Sequence, residues 1–194
     1  MTTKNALIQS AIEILPEVAK DNLIHASLSI TSLNEETRRI LEPRTASIKK
    51  RLETVEKLAA KNIPVSVMMA PIIPAINSHE IMPLVKEIAS RGADGVGYTI
   101  VRLNGAIAEI FSDWIKKTMP DRAEKVLNQI KAIHGGTLND SRFGTRMKGE
   151  GEFSQQVAQQ FTLARKRFLK DKLRRPQLNC ELHQEFKDGQ LKLF

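Results

Sequence analysis

The sequence predicts an α/β protein in which parallel strands are joined by crossover helices. Three observations carry the prediction. Apolar, strand-like runs at residues 25–30, 64–73 and 95–103 follow one another at roughly 30–40 residues, a spacing that excludes hairpins and demands crossovers. Amphipathic helical patterns fill the gaps between them. The middle run, PVSVMMAPII, is nearly continuous in apolar character, as a strand covered on both faces must be. A piece of a (β/α) barrel and a doubly wound sheet both satisfy the pattern.

Thr2, Thr3 and Lys4 read as the last residues of a strand, followed by a helix with Leu7, Ile8, Ile12, Leu15 and Val18 on its apolar side. A chain that opens on a strand end is expected to continue a fold begun upstream. Residues 25–30 (HASLSI) form the next strand. Ser32 and Glu35 have the spacing of a capping box and open a short helix that Pro43 stops. Ser47 caps a second helix, whose stripe is Ile48, Leu52, Val55, Leu58 and Ala59, with the lysines and glutamates between them in water. After the 64–73 strand, a loop through Pro74 and Asn77 leads to a helix over 79–90 that ends at Gly92. Beyond the 95–103 strand the pattern turns helical. Residues 106–117 carry Ile107, Ile110, Phe111, Trp114 and Ile115, and Asp121 caps a helix with Ala123, Val126, Leu127 and Ile130. Residues 134–151 form a glycine-rich basic loop of roughly 18 residues, longer than most connections in a compact domain. A final helix spans 154–173 and a tail occupies 174–194.

With 194 residues, 41% apolar and 27% charged, the chain has the make-up of a globular protein with a real core. A single cysteine, Cys180, rules out an internal disulfide framework and gives secretion no support. The longest apolar stretch, 65–76, contains two prolines and is too short to span a bilayer, so the expectation is a cytoplasmic protein without a membrane partner. The net charge of +8 invites a polyanion such as DNA. It gathers at Arg142, Arg146 and Lys148, and again over 165–175, where Lys166, Arg167 and Lys170 stand. A solvated helix face and a phosphate-binding surface both fit such a run. One Tyr and one Trp do not make a stacking platform for single strands.

In parallel α/β sheets, ligands sit at the carboxyl ends of the strands. Lys4, Ser29, Thr31, the 71–77 loop with Pro71, Arg102 and Asn104 occupy those ends. Lys4 and Arg102 suit a carboxylate or phosphate. For Arg102 the alternative is an ion pair with a nearby acid, and for Ser29 it is a core hydroxyl bonded to the backbone. The four histidines lack metal-ligand spacing, and nothing resembles a nucleophile elbow.

The segments SLSITSLNEETRRILEPRTASIKKRLETVEKL and IPVSVMMAPIIPAINSHEI resemble the radical S-adenosylmethionine (SAM) family related to spore photoproduct lyase, the "DNA repair photolyase" branch. GYTIVRL, DWIKKTMPDRAEKVLNQI and GGTLNDSRFGTRMKGEG extend the likeness, which covers most of residues 2–170. The resemblance implies a partial (β/α) barrel. This chain then supplies its C-terminal half at 1–105, a helical extension at 106–173 and the tail at 174–194. It also implies reductive cleavage of S-adenosylmethionine at a 4Fe–4S cluster to a 5′-deoxyadenosyl radical, in a lyase-like reaction on DNA. By position, Lys4 matches the lysine that pairs with the S-adenosylmethionine carboxylate, Ser29 a serine that holds the same ligand, and residues 70–74, Pro71 among them, the strand along the adenine. Arg44 in Glu42-Pro43-Arg44 is a weaker match.

The family's CxxxCxxC motif does not occur in this sequence. The chain alone is therefore expected to hold neither cofactor stably and to be inactive, which leaves a non-catalytic basic DNA-binding module as the alternative. Separately, Gln190, Leu191, Leu193 and Phe194 in QLKLF resemble the short peptide with which bacterial repair proteins dock on a sliding clamp.

Overall fold

The computed structural model describes residues 1–169, 177–181 and 184. Four strands form one parallel sheet in sequential order: β1 (Thr2–Thr3), β2 (Ala26–Ser29), β3 (Val65–Ile72) and β4 (Gly95–Ile100). Sequential order with crossover helices is the topology of a (β/α) barrel segment, and the expected partial (β/α) architecture is what the chain adopts. A doubly wound sheet would reverse its strand order at a switch point, and none occurs among these four.

The helices are α1 (Leu15–Lys20), α2 (Glu35–Leu41), α3 (Ile48–Ala60), α4 (Ile81–Ser90), α5 (Ala106–Thr118), α6 (Pro120–Ile133) and α7 (Gly151–Phe168). Ser47 caps α3 as the sequence suggests, accepting from the Lys50 N–H at 3.3 Å. The stripe Ile48, Leu52, Val55 and Leu58 is buried against the sheet. Burying each such side chain contributes about 1.5–3 kcal/mol. At the end of α4, Gly92 has φ +91°, and a Cβ there would lie 2.6 Å from the Ala59 Cβ of α3, so only glycine lets the two helices close up.

Several boundaries differ from the sequence reading. The first helical pattern splits into a 3-10 turn at Ala6–Ala11, capped by Asn5, and the short α1, where Pro16 starts a new helix because it brings no N–H to an existing one. Leu7 and Ile14 are left exposed while Ile8 and Leu15 enter the core. Ser32 does not cap α2. Its hydroxyl is taken by the Glu80 carboxylate at 2.9 Å and by the Asn34 N–H, and Asn34 becomes the cap, accepting from the Thr37 N–H at 2.9 Å. Asp121 lies inside the first turn of α6 after Pro120 and forms no side-chain cap. The last helix starts at Gly151, three residues early, and 170–173 lie outside the described residues.

Of the helices after residue 105, α7 packs into the sheet's core. From α7, Val157, Phe161 and Ala164 join the main cluster, and Phe161 stacks on Tyr98 of β4 with ring centroids 4.2 Å apart. Arg165 donates to the Val96 carbonyl of β4 at 2.9 Å, so this cation serves packing. A second, smaller core forms where the strand ends meet α5 and α6, from Ile73, Ile76, Val101, Leu103, Ile115, Val126 and Ile130. Among the described residues no helix is long and apolar enough to cross a membrane.

Candidate functional site

At the carboxyl ends of the strands lies a cleft of about 500 Å³. Lys4 after β1, Thr31 after β2, Pro71 of β3 and Arg102 after β4 all line it. Four of the six residues proposed from sequence as cofactor-binding thus converge, one from each strand. Ser29 does not line the cleft. It is buried behind it, and its carbonyl accepts from Arg51 at 2.7 Å. Arg44 is exposed and also outside the cleft. The far wall is apolar and comes from α5, with Ile107, Ile110, Phe111 and Trp114 spaced to share one helix face.

Beneath the cleft is a charged network that sequence reasoning missed. Glu42, which follows α2, is buried, and its carboxylate meets Lys4 Nζ at 2.8 Å, Arg51 Nη1 at 2.8 Å and the Thr31 hydroxyl at 3.0 Å. Burial pushes the Glu42 pKa up, but hydrogen bonds from Lys4 and Arg51, with their charges, outweigh it and hold the group below its ordinary value. Arg51 is only 1% exposed. It donates to the Ala46 carbonyl at 2.9 Å, to the Ser29 carbonyl and to the Thr45 hydroxyl. A signal for it existed in the sequence. Arg51 lies three residues after Ile48 and four before Val55, on the buried face of α3, and a cation there requires an acid in the core.

Two further buried side chains lace the strand ends. Asn77 donates to the Thr31 carbonyl at 2.9 Å and the Pro71 carbonyl at 3.0 Å, and accepts from the Ile73 N–H at 2.7 Å. Glu80 accepts from the Ser32 hydroxyl and the Leu33 N–H.

The basic loop is anchored rather than loose. Its Leu138 and Met147 carbonyls accept from the N–H groups of Leu103 and Ile100 at the end of β4. Arg142, expected to meet nucleic acid, instead binds Asp140 through both carboxylate oxygens, at 3.0 and 2.9 Å, and reaches Glu150 at 3.1 Å. Hydrogen bonds from Arg142 and Thr145 hold the Asp140 carboxyl far below the usual carboxylate range. Arg146 lies over the Phe143 ring at 5.6 Å, and Phe143 is 92% exposed. Lys148, Lys166 and Arg167 are exposed. Lys170 and the clamp-like Gln190, Leu191, Leu193 and Phe194 lie outside the described residues.

A parallel sheet with a cleft of about 500 Å³ over its carboxyl ends defines the class: an α/β protein with an open cleft at the strand ends. The family model described as Radical SAM superfamily matches residues 1–88, which take in β1 to β3 and most of α4. The match relates these 88 of the 194 residues to that superfamily. An uncharacterized protein of Mycobacterium tuberculosis is 25% identical over 121 residues, 61% of this chain and 36% of that protein. An uncharacterized protein of Acidianus two-tailed virus is 33% identical over 99 residues, 48% of this chain and 32% of its own length. The chain spans about a third of the length of these curated relatives.

Proposed function

We propose that this chain forms the S-adenosylmethionine-binding side of a radical SAM enzyme, of the branch related to spore photoproduct lyase, acting on nucleic acid. The observation that carries the reading is the convergence of Lys4, Thr31, Pro71 and Arg102, one from each parallel strand, on a single cleft. The superfamily match covers three of the four. A lysine ammonium has three donors, and Lys4 is half-exposed while bonded to Glu42, so it can hold a ligand carboxylate without leaving its acid.

The cluster that the family implies does not fit the side chains present. Cluster binding by the family's motif takes three thiolates, and this sequence has one cysteine, Cys180, which is exposed. Among the described residues no group of His, Cys, Asp and Glu is arranged to hold a metal ion. The contribution of this chain is therefore binding and orientation: Lys4 for the carboxylate, and Thr31 and Pro71 as the surface along which the nucleoside lies.

Isothermal titration calorimetry with S-adenosylmethionine tests this. Weak but saturable binding is expected, because the chain offers the Lys4 side of the site without the cluster, with Lys4→Gln weakening it by about tenfold or more, the worth of one charge-assisted hydrogen bond. A folded chain that shows no saturable binding overturns the reading. A second reading, a non-catalytic basic module on DNA, draws on the exposed Lys148, Lys166 and Arg167 and on Phe143 projecting beneath Arg146.

A further inference from the structure

Arg102 is the cation of the cleft that the fold does not use. Lys4 is held by Glu42, and Arg51 by Glu42 together with three further acceptors. Arg102, by contrast, forms no hydrogen bond or ion pair among the described residues, although its side chain lines the cleft. Lys4, Arg51 and Arg102 stand against the one carboxylate of Glu42, so the region keeps two uncompensated positive charges. Lys4 and Arg102 follow the first and last strands of the sheet. At ordinary strand spacing they are rooted roughly 14 Å apart, so the cleft has a cation on each flank.

The wall from α5 is as specific as the charge. Ile107 is 54% exposed and Ile110 66% exposed, although both line a concave surface. Beside them the rings of Phe111 and Trp114 lie 5.3 Å apart at 42°. On the same helix Ile115 is fully buried in the second core and Phe111 and Trp114 pack partly against it, whereas Ile107 and Ile110 join neither core and are left to the cleft. An apolar wall facing an uncommitted guanidinium is complementary to one kind of molecule.

We propose that the cleft binds an organic anion at Arg102, with the phosphate or carboxylate on the guanidinium and a flat apolar body of about one ring against Ile107, Ile110, Phe111 and Trp114. This rests on the reading of the strand ends as the ligand-binding face, and it adds the chemical class of the substrate that would sit beside the Lys4 ligand.

Trp114 is the single tryptophan of the chain, so its fluorescence reports the cleft directly. The full chain is titrated with phenyl phosphate and with phenylacetate, and for comparison with inorganic phosphate and with benzyl alcohol. An aryl anion should change the emission saturably, and each comparator should bind at least about tenfold more weakly, since each lacks half of the recognition. Tighter binding of phenyl phosphate identifies a phosphate ligand, and tighter binding of phenylacetate a carboxylate. Arg102→Gln should weaken the aryl anion about tenfold or more, with partial recovery in Arg102→Lys. Ile107→Gln should weaken it with the charge intact. Far-UV circular dichroism confirms that the variants are folded, as expected for side chains that bond nothing. Parent-like binding by Arg102→Gln, or a comparator that binds as well as the aryl anion, overturns the proposal. Binding of phenyl phosphate without S-adenosylmethionine overturns the cofactor reading alone, and the reverse overturns this inference alone.

Discussion

Replacing Glu42 with glutamine tests the network under the cleft, because it keeps the shape and removes only the charge. In the parent the carboxylate is 8% exposed and faces Lys4, Arg51 and Thr31 within 3.0 Å. The substitution leaves Arg51, 1% exposed, with its carbonyl and hydroxyl acceptors but without its counter-ion. Removing one partner of a buried pair costs about 3–5 kcal/mol, and the acceptors Arg51 retains place this case at the low end, about 3 kcal/mol. For a domain of this size that lowers Tm by roughly 6–12 °C. Lys4→Ala should cost less than about 1 kcal/mol, because that ammonium is half-exposed and water can replace it. Urea unfolding followed by circular dichroism gives each value. The pH dependence has a fixed sign. The folded pKa of Glu42 is depressed, so its contribution is complete above the ordinary glutamate value of about 4.3 and is lost as pH falls through the lower folded value. The stability gap between parent and E42Q should be constant from about pH 7 to 5 and close in stronger acid. A gap below about 0.5 kcal/mol at neutral pH, a gap that widens in acid, or a Lys4→Ala cost equal to that of E42Q would refute the network.

Asn77→Ala removes a fully buried side chain and leaves the Thr31 and Pro71 carbonyls and the Ile73 N–H without their partner, and should cost about 1–3 kcal/mol by urea unfolding. It should also weaken S-adenosylmethionine binding, and a variant with parent-like stability would show that the strand ends do not depend on it. On the nucleic-acid side, the double change Lys166→Glu with Arg167→Glu should lower DNA affinity and flatten its salt dependence by about 0.9 log–log units for each phosphate no longer neutralised. Fluorescence anisotropy against salt measures this, and parent binding that ignores salt would remove DNA as a partner.

The sheet was legible because its signal is coarse. A nearly continuous apolar run such as 64–73, short and bounded by prolines, reads as a doubly covered strand, and the distances between runs exclude hairpins. Helix ends were less legible, because local hydroxyls and carboxylates choose among competing partners. Ser32 has the spacing of a cap, yet Glu80, 48 residues away in sequence, claims its hydroxyl. The site was half legible. Position at a strand end was enough to find Lys4, Thr31, Pro71 and Arg102. Ser29, on the same criterion, turned out to lie behind the cleft with its carbonyl bound by Arg51. Within Glu42-Pro43-Arg44 the arginine drew attention as a candidate, while the buried acid makes the ion pairs. What hid Glu42 was the separation of its partners, which come from positions 4, 31 and 51 and share no pattern in the chain.

Those hidden residues share a job, and it bears on how the cleft can bind. Glu42 joins the end of β1, through Lys4, to the end of β2, through Thr31. Asn77 and Glu80, both after β3, reach back to Thr31, Ser32 and Leu33 after β2. Thr31 in turn donates to the Ala70 carbonyl of β3 at 3.1 Å, and the end of β4 is tied to the 138–149 loop through Leu138 and Met147. Each strand end is thus bonded to another segment, most of these ties involving a buried group, and the rim of the cleft is set before any ligand arrives. A preformed rim spares a ligand the cost of ordering loops. It also separates two kinds of cation. Lys4 and Arg51 are committed to holding the rim together, whereas Arg102, on the same rim, has no such duty among the described residues. A charge that the fold neither needs nor neutralises, beside Ile107 and Ile110 that neither core takes up, is where selection for a ligand is most economically placed.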